Sequence, residues 1–301
     1  MNARTTPPAE KVVGRPSGRA IASVLSAALL FGTTGTALAQ APIGFSPLGA
    51  GALRLTIGGL GLLVVSRREV HQLHRAPVAI VTGGFFVAVY QLAFFWATRS
   101  TGVAIATIVT IASSPVASRI IGMTRRSPVP PTRWYVATSI VVGGLVLLIL
   151  GGSESTQFSP IGVMAAALAG SGFAAYTEAG SVAMVHGVPS TVTMAGLFGA
   201  GAVFSWFVLP WQPLGWATTQ RGVLVLAYLG LVTLTLAYIA FGRGLAHLTP
   251  SLVVVLTILE PVVASFLAVT FLDERLNLFG WAGAAVVLVG LIVASRGDRT
   301  R

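Results

Sequence analysis

Long apolar blocks separated by short polar or basic breaks run through the whole chain, at 21–39, 47–66, 77–98, 102–123, 134–151, 160–185, 190–209, 222–241, 249–271 and 278–295. Each is close to the roughly 20 residues that a helix needs to cross a hydrocarbon core, and a spanning segment of this kind must satisfy its backbone as a helix. The last two blocks are joined by the charged bend Asp273-Glu274-Arg275, which makes them a hairpin. Inside the first of them stands Glu260-Pro261, a carboxylate beside a helix breaker near mid-membrane, where an ionisable group costs roughly 2.5 to 3.5 kcal/mol on insertion scales. Such a residue needs a compensating role. The pattern predicts an all-α integral membrane protein of ten transmembrane helices.

The design occurs twice. Residues 108–118, IVTIASSPVAS, match residues 256–265, LTILEPVVAS, with Pro115 answering Pro261 and Trp134 answering Trp281. Ten spans divide into five and five, and an odd number per copy puts the second copy upside down relative to the first. Loop charge follows: Arg125, Arg126 and Arg133 belong inside, whereas the second copy's Asp273-Glu274-Arg275 carries no net positive charge and belongs outside. With both termini inside, nearly all Arg residues fall on the cytoplasmic side, leaving Arg99, Arg221 and Arg275 outside. The expected organisation is a cytoplasmic tail at 1–19, a first repeat at 20–151, a second at 152–296 and a short cytoplasmic tail at 297–301. Ala37-Leu38-Ala39 resembles a signal-peptidase site after a basic segment, but the repeat needs this first helix, so it is read as retained.

Composition agrees and removes other classes. With 54% hydrophobic and 9% charged residues the chain is too apolar for a soluble globule. Its net charge of +11 is therefore read as loop charge and not as a nucleic-acid footprint. The absence of Cys removes disulfides, thiolate nucleophiles and Cys-ligated metals. Abundant Ala, Gly and Arg beside the single Lys11 suggest a GC-rich bacterial genome and an inner-membrane location. No phosphate loop, metal-ligand cluster or nucleotide fingerprint is present, so no cofactor is expected.

Pro261 followed by Asp273-Glu274-Arg275-Leu276 and Gly280-Trp281, together with Arg54 in the second span, resembles the EamA-type repeat of the drug/metabolite transporter superfamily over about residues 20–296. That resemblance implies two inverted five-helix repeats and export or exchange of small metabolites such as amino acids. The first copy departs from the pattern, with Arg125-Arg126-Ser127-Pro128 at the acidic bend, and the second has Met194 and Ala195 where a partner of Arg54 would stand. The substrate stays open.

Three charges lie within or near the spans: Arg54, Glu178 and Glu260. At 1.5 Å per residue Arg54 lies roughly 10 Å below the outer end of its span and Glu260 roughly 16 Å above the inner end of its own, so a contact is within reach. Glu260 reads as a cavity-facing acid that exchanges a proton or meets a substrate amine; the plainer reading is a fixed structural acid beside the kink. Arg54 reads first as a polar clamp between helices, and Glu178 as a solvated helix end. Thr107, Thr110, Ser114 and Ser118 share one face of the fourth span, and Thr257, Glu260 and Ala264 one face of the ninth. The two stripes either line one cavity or serve helix packing. Tyr90, Gln91, Trp96 and Tyr176 are candidate wall residues, with packing as the alternative.

These readings converge on a carrier for a small-molecule solute working by alternating access in the lipid bilayer, coupled to protons or to the solute gradient, with the Pro115 and Pro261 helices flanking the cavity. Small-residue pairs such as Ala195 with Gly199 and Gly280 with Ala284 fit either a monomer or a homodimer seam. The alternatives are a non-transporting scaffold or lipid-handling protein and, from Gly170-Ser171-Gly172 with His186 or His247, an intramembrane serine hydrolase.

Overall fold

A computed structural model describes residues 17–125, 129–150, 159–272 and 276–296. The helices are α1 (Gly18–Leu38), α2 (Pro47–Ser66), α3 (Pro77–Thr101), α4 (Val103–Thr124) and α5 (Thr132–Leu150). They continue as α6 (Pro160–Val185), α7 (Ser190–Ser205, prolonged by the 3-10 turn Trp206–Trp211), α8 (Gln220–Leu245), α9 (Pro250–Phe271) and α10 (Leu278–Arg296). All ten are long and apolar enough to span a membrane. The terminal tails, most of the Arg125–Pro128 bend and the Asp273-Glu274-Arg275 bend lie outside the described residues.

Local sequence sets the helix starts. Ser46 and Ser159 precede Pro47 and Pro160, and each serine hydroxyl accepts a hydrogen bond from the backbone N–H three residues on, at 3.1 and 3.3 Å. Proline at the first helical position forfeits only a donor that would be unpaired there.

Exchanging the two copies leaves the packing pattern unchanged. α3 packs on α6 as α8 packs on α1, α4 on α6 as α9 on α1, and α3 on α7 as α8 on α2, while α2 with α7 and α5 with α10 pair across the pseudo-symmetry. Glycines make the closest approaches. A Cβ on Gly32 of α1 would sit 2.9 Å from the Glu260 carbonyl of α9, and one on Gly170 of α6 would collide with the Thr110 carbonyl of α4. Thus the first helix of each copy uses a glycine to reach the proline helix of the other.

At the α5/α10 seam a Cβ on Gly144 would lie 2.6 Å from the Val287 backbone nitrogen and 2.9 Å from the Gly283 carbonyl. Backbone cannot yield as a side-chain tip does. Gly144→Val is therefore expected to force the seam apart and cost about 1 to 3 kcal/mol, read as a lower melting temperature of the purified protein; an unchanged melt would show that the seam is looser than it looks.

Candidate functional site

The two proline helices behave differently. α4 runs unbroken through Pro115. α9 is two pieces, Pro250–Leu256 and Leu259–Phe271, separated by Thr257-Ile258. Pro261 has no N–H, so the Thr257 carbonyl loses its usual donor and is taken instead by the Glu260 N–H at 3.0 Å. Ile258 likewise donates to Val255 at 3.1 Å, and the Thr257 hydroxyl covers the Val254 carbonyl at 2.8 Å. The carbonyls of Val254, Val255 and Thr257 thus regain partners, as an irregular segment at membrane depth requires. Glu260 sits in the first turn of the second piece, where the positive end of the helix dipole favours a carboxylate.

An aromatic cluster is built from α1, α3, α6, α7 and α8. The Tyr176 and Tyr238 hydroxyls are hydrogen-bonded at 2.9 Å. Ring centroids of Phe198 and Tyr238 are 3.9 Å apart, those of Phe31 and Tyr238 4.9 Å, and those of Tyr90 and Tyr176 6.0 Å. Glu260 and Arg54 lie close enough to act electrostatically on each other and on Tyr90 and Tyr238. They do not form an ion pair: Glu260 accepts no hydrogen bond among the described residues, and the Arg54 guanidinium turns elsewhere.

Arg54 donates from Nη2 to the Thr233 carbonyl at 3.1 Å. That carbonyl lies in Tyr228–Leu236, a π-helical segment of α8 whose widened turns displace carbonyls from their ordinary intrahelical donors. The Thr235 hydroxyl adds bonds to Gly230 within α8, at 3.0 Å, and to Gly58 of α2, at 3.1 Å. Arg54 is thus a clamp between α2 and α8, with its buried Nε unpaired among the described residues. Arg54→Gln is expected to lower stability by about 1.5 to 3 kcal/mol, the usual worth of a hydrogen bond from a charged donor; a thermal melt in detergent checks this, and an unshifted melt would leave Arg54 free for another role.

The other candidates separate. Thr110 donates to Ala166 of α6 at 3.0 Å and Ser114 to Thr110 at 2.7 Å, so this part of the polar face of α4 is directed at α6, and only Ser118 at its end reaches α9 as well. Gln91 is buried against Gly51 of α2. Trp96 is 52% exposed. Thr257 serves the α9 break as described, and Tyr90 and Tyr176 belong to the aromatic cluster. The pattern missed Tyr238. Its signal was present, because α3 and α8 are the third helices of their copies and Tyr238 answers Tyr90 within similar apolar surroundings.

Glu178 also departs from expectation. It is 7% exposed, not a solvated end, and accepts a hydrogen bond from Ser118 of α4 at 3.1 Å. Ser118 in turn meets Ser251 of α9 at 3.0 Å, whose carbonyl accepts from the Trp134 indole of α5 at 3.3 Å. Arg125 approaches the carboxylate at 3.5 Å. Four helices from both copies are tied here, at one end of the bundle. The adjoining half of α9 is sealed, with Leu252 through Leu256 all buried, whereas only Pro261 is buried in the half from Leu259 to Phe271. Ser251 and Glu260 are nine residues apart, roughly 14 Å along the helix.

Of the hydrolase candidates, Ser171 and His186 are held apart. The Ser171 hydroxyl bonds Ala167 in its own helix, and His186 lies fifteen residues further on, roughly 22 Å away at helical rise.

The model of the EamA-like transporter family matches residues 18–150 and again 160–296. The chain belongs to the EamA-like transporter family. Consistent with membership, it is 36% identical over 279 residues to the uncharacterized transporter YwfM of Bacillus subtilis (strain 168), covering 92% of this chain and 93% of the relative. The uncharacterized transporter YdeK of the same organism is 28% identical over 274 residues, covering 85% of this chain and 88% of the relative. A solved crystal structure superposes with a TM-score of 0.78 at 23% identity, covering 93% of this chain and 97% of the other, which is a likeness of fold. This EamA-like protein is a multi-pass membrane transporter, and its two family matches are the two five-helix copies seen in the packing.

Proposed function

We propose that this transporter is a secondary exporter of a small organic metabolite, amino-acid-like or drug-like, exchanged for protons by alternating access in a bacterial inner membrane, with both termini cytoplasmic. The observation that carries the reading is Glu260: a carboxylate at a broken helix, unbonded among the described residues, facing a cluster of tyrosines and the field of Arg54. An acid in that position is available to a proton or to a substrate amine, while the aromatic rings offer an apolar wall. Closure at the Ser251 end, read as cytoplasmic from loop charge, and exposure of the other half of α9 fit a state open toward the outside. Purified protein in liposomes, with an imposed proton gradient and a screen of amino acids and of cationic or aromatic metabolites, tests the reading. Proton-linked movement of one class is expected. No flux with any solute would return weight to a scaffold or lipid-handling protein.

A further inference from the structure

Away from the aromatic cluster, a crevice of about 610 Å³ opens between α3 and α4 over α6, at the end of the bundle that loop charge assigns to the cytoplasm. Its walls are apolar, built from Val78, Phe86, Ile121 and Val182, and Val78 and Thr82 at its mouth are exposed on the outer surface of the bundle. Its rim is basic, with Arg75, Arg125 and His186. Glu178 offsets only Arg125, so Arg75 leaves the rim with a positive balance. Arg75 is also held in place: Nη1 donates to Gln72 at 2.8 Å and to the Gly187 carbonyl at 2.9 Å, leaving Nε and Nη2 without partners among the described residues.

An apolar slot on the outer surface of a spanning bundle, with an arginine fixed above it at interfacial depth, has the two-part chemistry of a phospholipid: acyl chain below, phosphate above. A zwitterionic lipid would bring its own cation to a rim that is already positive. We propose that this crevice binds an anionic phospholipid, its chain along Val78, Phe86 and Val182 and its phosphate against Arg75. The site is separate from Glu260, and the proposal rests on reading this end as the cytoplasmic interface but not on any transport activity.

The test is native mass spectrometry of the full chain in detergent, titrated with phosphatidylglycerol, with phosphatidylcholine of the same chains, and with inorganic phosphate. One retained phosphatidylglycerol is expected, at severalfold higher occupancy than phosphatidylcholine. Arg75→Gln is expected to reduce that preference about fivefold, the worth of one basic residue at a membrane surface. Thr82→Trp, an exposed change at the mouth, is expected to reduce retention of the lipid itself; melting curves establish that both variants are folded. Equal retention of the two lipids, an undiminished preference in both folded variants, or displacement of phosphatidylglycerol by equimolar inorganic phosphate would overturn the proposal, the last by showing a site for a soluble anion. Because the assay in detergent is blind to sidedness and to flux, a failure here is distinguishable from a failure of the orientation or of the carrier reading.

Discussion

Glu260→Gln is expected to abolish flux driven by a pH gradient while leaving the fold intact. Glutamine keeps the size and hydrogen-bonding reach of the side chain but carries no ionisable proton and no charge for a substrate amine. The carboxylate makes no hydrogen bond among the described residues, so its replacement breaks no structural tie, and the covering of the α9 break depends on backbone groups and the Thr257 hydroxyl. A neutral side chain also spares the desolvation cost of an acid at this depth, so the melting temperature should hold or rise. The initial rate under a proton gradient should fall at least about tenfold, a loss of roughly 1.4 kcal/mol. Wild-type rates in the variant would make Glu260 a structural acid beside a kink.

The second large effect concerns the closed end. The chain contains no cysteine, so Ser118→Cys with Ser251→Cys places the only two thiols in the molecule where two hydroxyls now stand 3.0 Å apart. That separation is compatible with a bond of about 2.05 Å after small side-chain adjustments. Oxidation would join α4 to α9 across the two copies and hold this end shut. Flux of whichever solute the screen identifies should then fall in proportion to the cross-linked fraction, to below about a tenth at full oxidation, since alternating access needs both ends to open in turn, and a reductant should restore it. Full flux through a fully cross-linked protein would mean that the path does not pass this cluster.

Much of this molecule was legible in the order of its residues. Block lengths gave the helices, because a bilayer imposes one length on every element that crosses it. The 108–118 and 256–265 match gave the duplication. Glu260 announced itself by its cost. What was hidden depended on partners from other helices. Glu178 looked like a wetted terminus because its own helix ends soon after it, and only Ser118 from α4, bridged on to Ser251 from α9, shows that the position is enclosed. The stripe from Thr107 to Ser118 was visible as one face, but periodicity does not say which neighbour a face meets: Thr110 meets α6, and Ser118 meets both α6 and α9. The widened turns of α8 had no pattern of their own; Arg54 was visible, and the displaced carbonyl it clamps was not.

The contrast between an unbroken α4 and a divided α9 has a mechanical consequence. Two elements related by symmetry would ordinarily trade places when such a bundle reverses, each taking the shape the other has left. Here one is a rod and the other a jointed arm. A rod tilts as a whole and carries both of its ends, whereas a jointed arm swings one segment while the other stays docked. If the two copies exchange shapes on reversal, Pro115 is the point at which α4 would divide, as α9 divides just before Pro261 here.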